Sequence, residues 1–111
     1  MKLVCVDGAR ISDEDTFHDV FAEAFGYPQF YGRNFNAWID CMSYLDEPGA
    51  AGMSSVHLPV GQQLTIQVDN ASDMKSRCPE VWLAFLEAVA FVNWRRTQNG
   101  EGTLLAVAAY A

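Results

Sequence analysis

A small α/β fold, with a three-stranded parallel sheet packed against three to four helices, is what this 111-residue sequence predicts. Three observations lead there. Short apolar runs at 3–6, 64–68 and 103–110 have the length and patterning of strands. Stretches of helical periodicity separate them, and strands alternating with helices favour a parallel sheet. Half of the residues are apolar and 13% are aromatic, so a chain of this size can bury roughly 65% of its unfolded surface in one core. The expected organisation is a single domain over 1–111, without repeats or low-complexity tracts.

The elements follow in order. Leu3-Val4-Cys5-Val6, closed by Asp7-Gly8, reads as a buried strand and turn. Ser12 is a candidate cap for the first helix, with Asp13, Glu14 and Asp15 at its positive end. Phe17, Val20, Phe21, Ala24 and Phe25 repeat at helical spacing until Gly26 and Pro28 stop the run. An aromatic loop, Tyr27-Pro28-Gln29-Phe30-Tyr31-Gly32, precedes Asn34, which caps a second helix reaching Tyr44 or Leu45. Residues 46–63, with two Pro and three Gly, read as a long mobile loop. After the alternating strand Leu64–Val68 comes a short helical turn at 71–76. Pro79 then opens a long helix through Arg96, apolar nearly all round.

Charge narrows the function. Fourteen acids against seven bases give a formal charge of −7, and nine of the acids but only three of the bases fall in residues 1–50. Phosphate binding needs clustered cations, so neither nucleic acid nor an anionic membrane is expected as direct partner, whereas a basic protein is attracted. Cys5, Cys41 and Cys78 show neither paired nor metal-type spacing, which points to free thiols, no metal and no cofactor. With no leader-like or membrane-spanning apolar stretch, the cytoplasm is the expected location.

The second helix carries the candidate site. At 100° per residue, Phe35, Trp38, Ile39, Met42 and Leu45 form one stripe, suited to the core. Asn36, Asp40, Ser43 and Glu47 form a second, polar stripe with Asp40 at its centre. Beside an aromatic loop containing Tyr31, such a stripe suits recognition of a cationic surface. The same pattern also describes an ordinary solvated helix face.

Tyr31-Gly32-x-Asn34-x-x-Ala37-x-x-Asp40-Cys41 resembles the signature of the barstar family, intracellular inhibitors of barnase-type ribonucleases. The order of elements matches as well, except over 46–63, where the family is shorter. The resemblance implies a barstar-like fold whose second helix and preceding loop plug a ribonuclease active site. Asp40 would there imitate substrate phosphate before the enzyme's arginines and histidine. It implies partner-binding positions at Tyr31, Gly32, Asn34, Asn36, Ala37 (a small residue permitting close approach), Asp40 and Ser43, the last replacing a threonine. Two departures stand out: Asn36 occupies the place of a second acid, and near the start of the long helix Pro79 takes an acidic position with Glu80 one place on. The expected partner is a basic protein, a secreted or toxin ribonuclease, and the chain is not expected to be an enzyme.

Other readings compete with this one. One is an immunity or antitoxin protein for a basic toxin of different chemistry. Another is a small enzyme using Asp40 and a histidine. Against the enzyme, His18 reads as an exposed residue of the first helix and His57 lies in the long loop. Cys41 adjoins an acid, which raises a thiol pKa, and the isolated Gly8 and Gly32 form no phosphate-binding loop. Base stacking by Tyr31, Trp82 or Trp94 would lack a basic groove.

Overall fold

Alternating burial along the central strand sets the architecture. In the computed structural model, which describes residues 2–111 apart from the side chains at 48, 50 and 51, Leu64, Ile66 and Val68 point into the core while Thr65, Gln67 and Asp69 are half-buried. The order is β1 (Lys2–Asp7), α1 (Glu14–Phe25), α2 (Phe35–Ser43), β2 (Leu64–Asp69), α3 (Ala71–Arg77), α4 (Pro79–Gln98) and β3 (Leu105–Ala109). Both strand pairs are parallel in the order β1-β2-β3, with Val4, Ile66 and Val107 in register. Parallel sheets are commonly covered on both faces. Here the opposite face keeps Leu3 and Cys5 exposed, so Cys5 is a surface thiol rather than the core residue its apolar neighbours suggest.

The helices start and stop for local reasons. Asp13, not Ser12, caps α1: its carboxylate accepts from the Thr16 amide at 2.8 Å, and the Thr16 hydroxyl oxygen accepts from the Asp13 amide at 3.1 Å. Gly26 ends α1 at φ +62°, where a side chain would collide with Ser55. Pro79 opens α4 as expected, and the helix continues to Gln98. Strand β3 begins at Leu105 rather than 103, because the Asn93 side chain takes up the amides of Leu104 and Leu105, both at 2.9 Å.

Residues 46–63 are more organised than a free loop. A 3-10 turn covers Pro48–Met53, and Ser54, buried, donates to the last-turn carbonyl of Phe25 at 2.6 Å. Leu58 is also buried, and its amide donates to Leu45. At the near end, Asp46 receives both guanidinium nitrogens of Arg96, at 2.8 and 2.5 Å, with both side chains largely withdrawn from water. Isolated anchors, two polar side chains and the buried Leu58, hold this segment rather than an apolar periodicity, and that is why its sequence looks unstructured.

Hydrogen bonding from Arg96 holds the Asp46 carboxyl below its ordinary range, against the cost of burial. Removing the guanidinium strands a buried carboxylate, so Arg96→Met is expected to destabilise the fold by about 3 kcal/mol. The contribution of Asp46 is complete above the unfolded carboxylate range and is lost as pH falls through its lowered value. Urea denaturation at neutral and acidic pH checks both: the gap between wild type and Arg96→Met must narrow in acid.

Candidate functional site

Helix α2 is seated by its apolar face. Trp38, Cys41 and Met42 are buried, with Phe35 and Ile39 half-buried against the core, which leaves Asn36 and Asp40 exposed on the opposite side. Asn34 caps the helix, accepting from the Ala37 amide at 2.8 Å. A Cβ placed on Gly32 would lie 3.3 Å from the Ala37 methyl, so the loop and the first turn press together at two small residues. Gly32, Asn34 and Ala37 thus shape the loop-to-helix junction.

Tyr31 faces inward. Its ring lies against Tyr27 at 4.6 Å and its hydroxyl reaches the His18 imidazole at 2.5 Å. Burial drives its phenol pKa well above the usual value. The outward aromatic of the loop is its neighbour Phe30, 78% exposed. His18, expected on the surface, is fully buried. Its side chain follows the 18-21-25 spacing of Phe21 and Phe25, a core-face signal that the adjacent charged residues obscure.

Beside α2 runs a groove of about 620 Å³ whose far wall belongs to α4. Phe35, Asn36, Ile39 and Asp40 line one side; Ala84, Glu87, Phe91 and Arg95 line the other. Glu87, which the sequence did not single out, is therefore the α4 acid that shares a cleft with Asn36 and Asp40. Glu80 sits exposed in the first turn of α4 and does not line that cleft. Glu47 and Ser43 lie further along, in a depression of about 280 Å³ with Tyr44, Val60 and Glu101. The Ser43 hydroxyl donates to the Ile39 carbonyl at 2.6 Å, so its hydrogen is already engaged.

Charge pairing separates the acids into two groups. Glu23, Asp15, Asp19, Asp73, Asp46 and Glu101 each meet an arginine, and Glu14 meets His18. Among the described residues, Asp40, Glu47 and Glu87 beside α2 meet no cation within 4.0 Å, and neither do Asp7, Asp13, Asp69 and Glu80 elsewhere. Asp40 consequently presents an uncompensated carboxylate on a helix that is rigidly seated from behind. Among the described residues Arg95 is the cation that lines the groove, stacked over Phe91 at 5.6 Å.

Nucleophilic chemistry has no support in this geometry. Burial, then the Asp40 charge, push the Cys41 thiol up to about 11, and among the described residues no histidine lines the groove beside Asp40. Among the described residues, no three His, Cys, Asp or Glu could hold a metal ion, and no helix is long and apolar enough to cross a membrane.

Two comparisons place these features among known proteins. The family model described as Barstar (barnase inhibitor) matches residues 1–107. A Bacillus subtilis (strain 168) protein named "Putative ribonuclease inhibitor YrdF" is 31% identical over 49 residues, which are 43% of this chain and 54% of that relative. The chain thus matches about half the length of this curated relative.

At pH 8 a thiol with a pKa of about 11 is about one thousandth thiolate. A colorimetric disulfide reagent is therefore expected to find one fast thiol, the exposed Cys5, with Cys41 and Cys78 reacting slowly until the protein unfolds. Replacing Cys5 by Ser must abolish the fast phase.

Proposed function

The chain belongs to the barstar family, and from that premise we propose that it inhibits a barnase-type ribonuclease by covering a basic active site with α2 and the loop before it. The observation that carries the reading is the unpaired Asp40 carboxylate on the exposed face of α2, in a groove it shares with Asn36 and Glu87. A ribonuclease must gather cations to bind phosphate. A preformed carboxylate on a rigid helix competes for those cations without the entropy cost of ordering a flexible ligand.

Binding residues in this reading are Asp40 and Asn36 at the centre, Ser43 at the end of the helix with Glu47 beyond it, and Phe30 in the preceding loop. Tyr31, Gly32, Asn34 and Ala37 set the backbone on which these stand. Glu87 takes the part that the sequence assigned to Glu80 on α4. The partner is a basic ribonuclease, secreted or toxic, and the chain itself performs no chemistry. Action in the cytoplasm, where the exposed Cys5 stays reduced, belongs to the same reading.

Barnase and a panel of small basic microbial ribonucleases supply the test, with RNA cleavage and calorimetric titration as readouts. If Asp40 meets desolvated cations, Asp40→Ala loses about 2–5 kcal/mol of binding, mostly through faster dissociation. Asn36→Ala loses about 1 kcal/mol, since a neutral hydrogen bond replaces an ion pair. Wild-type binding by Asp40→Ala overturns the reading. The −7 charge further implies steering: raising salt to about 0.5 M is expected to slow association far more than it speeds dissociation, and stopped-flow kinetics decide it.

A further inference from the structure

Two side chains of the loop, on either side of Gly32, are fastened to α1. Tyr31 reaches His18 Nδ1 at 2.5 Å. Arg33, at φ +54°, donates to the Asp19 carboxylate at 2.8 Å and to the Asp15 carbonyl at 3.0 Å. The positive φ is unfavourable for an arginine, and the double anchorage holds the residue there immediately before the Asn34 cap. We propose that His18 and Arg33 are positioning residues that clamp the partner-binding loop onto α1, and that His18 makes this clamp release in acid. The inference rests on the inhibitory reading for what the loop does, while the clamp itself belongs to the free protein.

Hydrogen-bond chemistry assigns the proton. His18 Nε2 lies 3.3 Å from the Glu14 carboxylate, which only accepts, so the neutral ring carries its hydrogen on Nε2. Nδ1 is then the acceptor, and the Tyr31 O–H donates to it. Protonating Nδ1 turns that acceptor into a donor aimed at the hydroxyl hydrogen, so Tyr31 must turn its own hydrogen away or withdraw. The new charge would also sit in a fully buried ring, with Phe17 edge-on at 5.2 Å and Phe35 at 5.5 Å.

The charges around His18 pull in both directions. From α1, Glu14 and Asp15 favour the imidazolium; from the loop, Arg33 opposes it, and Tyr31 offers a hydroxyl. Helix α2 presents the uncharged Phe35 ring. Burial outweighs the acids and holds the ring below its ordinary value. A lowered folded value means that the stabilisation is complete above the unfolded value near 6.5 and disappears as pH falls through the folded one.

The experiment uses the free protein. Magnetic resonance follows the His18 ring from about pH 7.5 to about pH 5, alongside amide protection at Tyr31, Ala37 and Trp38, which donate to the Pro28 carbonyl, the Asn34 side chain and the Asn34 carbonyl. Protection at the three amides is expected to fall about tenfold in step with the ring titration. His18→Gln, which retains an acceptor for Tyr31, should lose the step. Tyr31→Phe should raise the ring midpoint, because the neutral ring loses its donor, and Arg33→Gln should lower protection at every pH. Protection that stays flat through the wild-type titration overturns the proposal, as does an unchanged midpoint in Tyr31→Phe. If either of those variants fails to fold, the wild-type profile and Arg33→Gln still decide. Loss of barnase binding in Asp40→Ala alongside flat protection sinks the clamp and leaves the inhibitory reading; a pH-linked clamp with Asp40→Ala binding as wild type does the reverse.

Discussion

The seating of α2 on an aromatic cluster is the constraint from which the rest follows. Phe17 lies at the centre: its ring meets Phe21 at 4.4 Å, Phe35 at 4.9 Å, Phe85 at 5.9 Å and Trp38 at 6.2 Å. Trp38 also meets Phe21 and Phe85 edge-on. Rings of α1, α2 and α4 thus interlock, and each such pair adds about 0.5–1.5 kcal/mol beyond its buried area. The helix of nine residues is too short to be stable alone. Only its packed face keeps it helical, and only then does the opposite face hold Asn36 and Asp40 in one fixed relation.

The same constraint explains which parts of the molecule could be read in advance. Strand alternation at Leu64–Asp69, the Asn34 cap, Gly26 as stop and Pro79 as start are local signals, and the structure keeps all of them. What escaped is non-local. Ser12 and Asp13 are equally good caps by composition, and the reciprocal bonds with Thr16 choose between them. Cys5 lies in an apolar run, yet strand parity turns it away from Val4 and Val6 onto the open face. Residues 46–63 lack periodicity because Asp46, Ser54 and Leu58 anchor them singly to α4, α1 and the end of α2. For the site, Asn36 and Asp40 on the exposed face of α2 were legible from spacing. The helix ends at Ser43, however, so Glu47, which the same spacing put on that stripe, lies beyond it. Glu87 was not legible, since only the α2–α4 crossing decides which turn of α4 stands opposite Asp40.

Net charge is a poor guide to where a surface is negative. Four of the nine acids of the first fifty residues are paired with arginine within the fold: Glu23 with Arg10, Asp15 and Asp19 with Arg33, Asp46 with Arg96. Exposed pairs of this kind contribute little to stability, but they remove charge locally from the field that a partner meets. Beside α2 the unpaired acids are Asp40 and Glu87 in the groove and Glu47 in the neighbouring depression. In the inhibitory reading proposed above, long-range attraction comes from the charge of the whole chain and the close-range pattern from these three.

Arg95 then sets a condition on complementarity. It lines the groove with Asp40 and Glu87, held over the Phe91 ring, and it also borders the depression that contains Glu47. A partner surface that was uniformly cationic would meet repulsion here, at a position that its other cations would find attractive. Asn36 changes the balance in the same direction, offering an amide where an acid would add another negative charge. Like charges brought together during desolvation cost several kcal/mol, so, if the groove is the proposed interface, this cation disfavours partners that place a cation opposite it. Under the proposed inhibitory reading, a fitting partner combines a cation for Asp40 with a neutral or anionic group for Arg95. That discrimination is written in the crossing of α2 and α4 rather than in the motif along α2 alone.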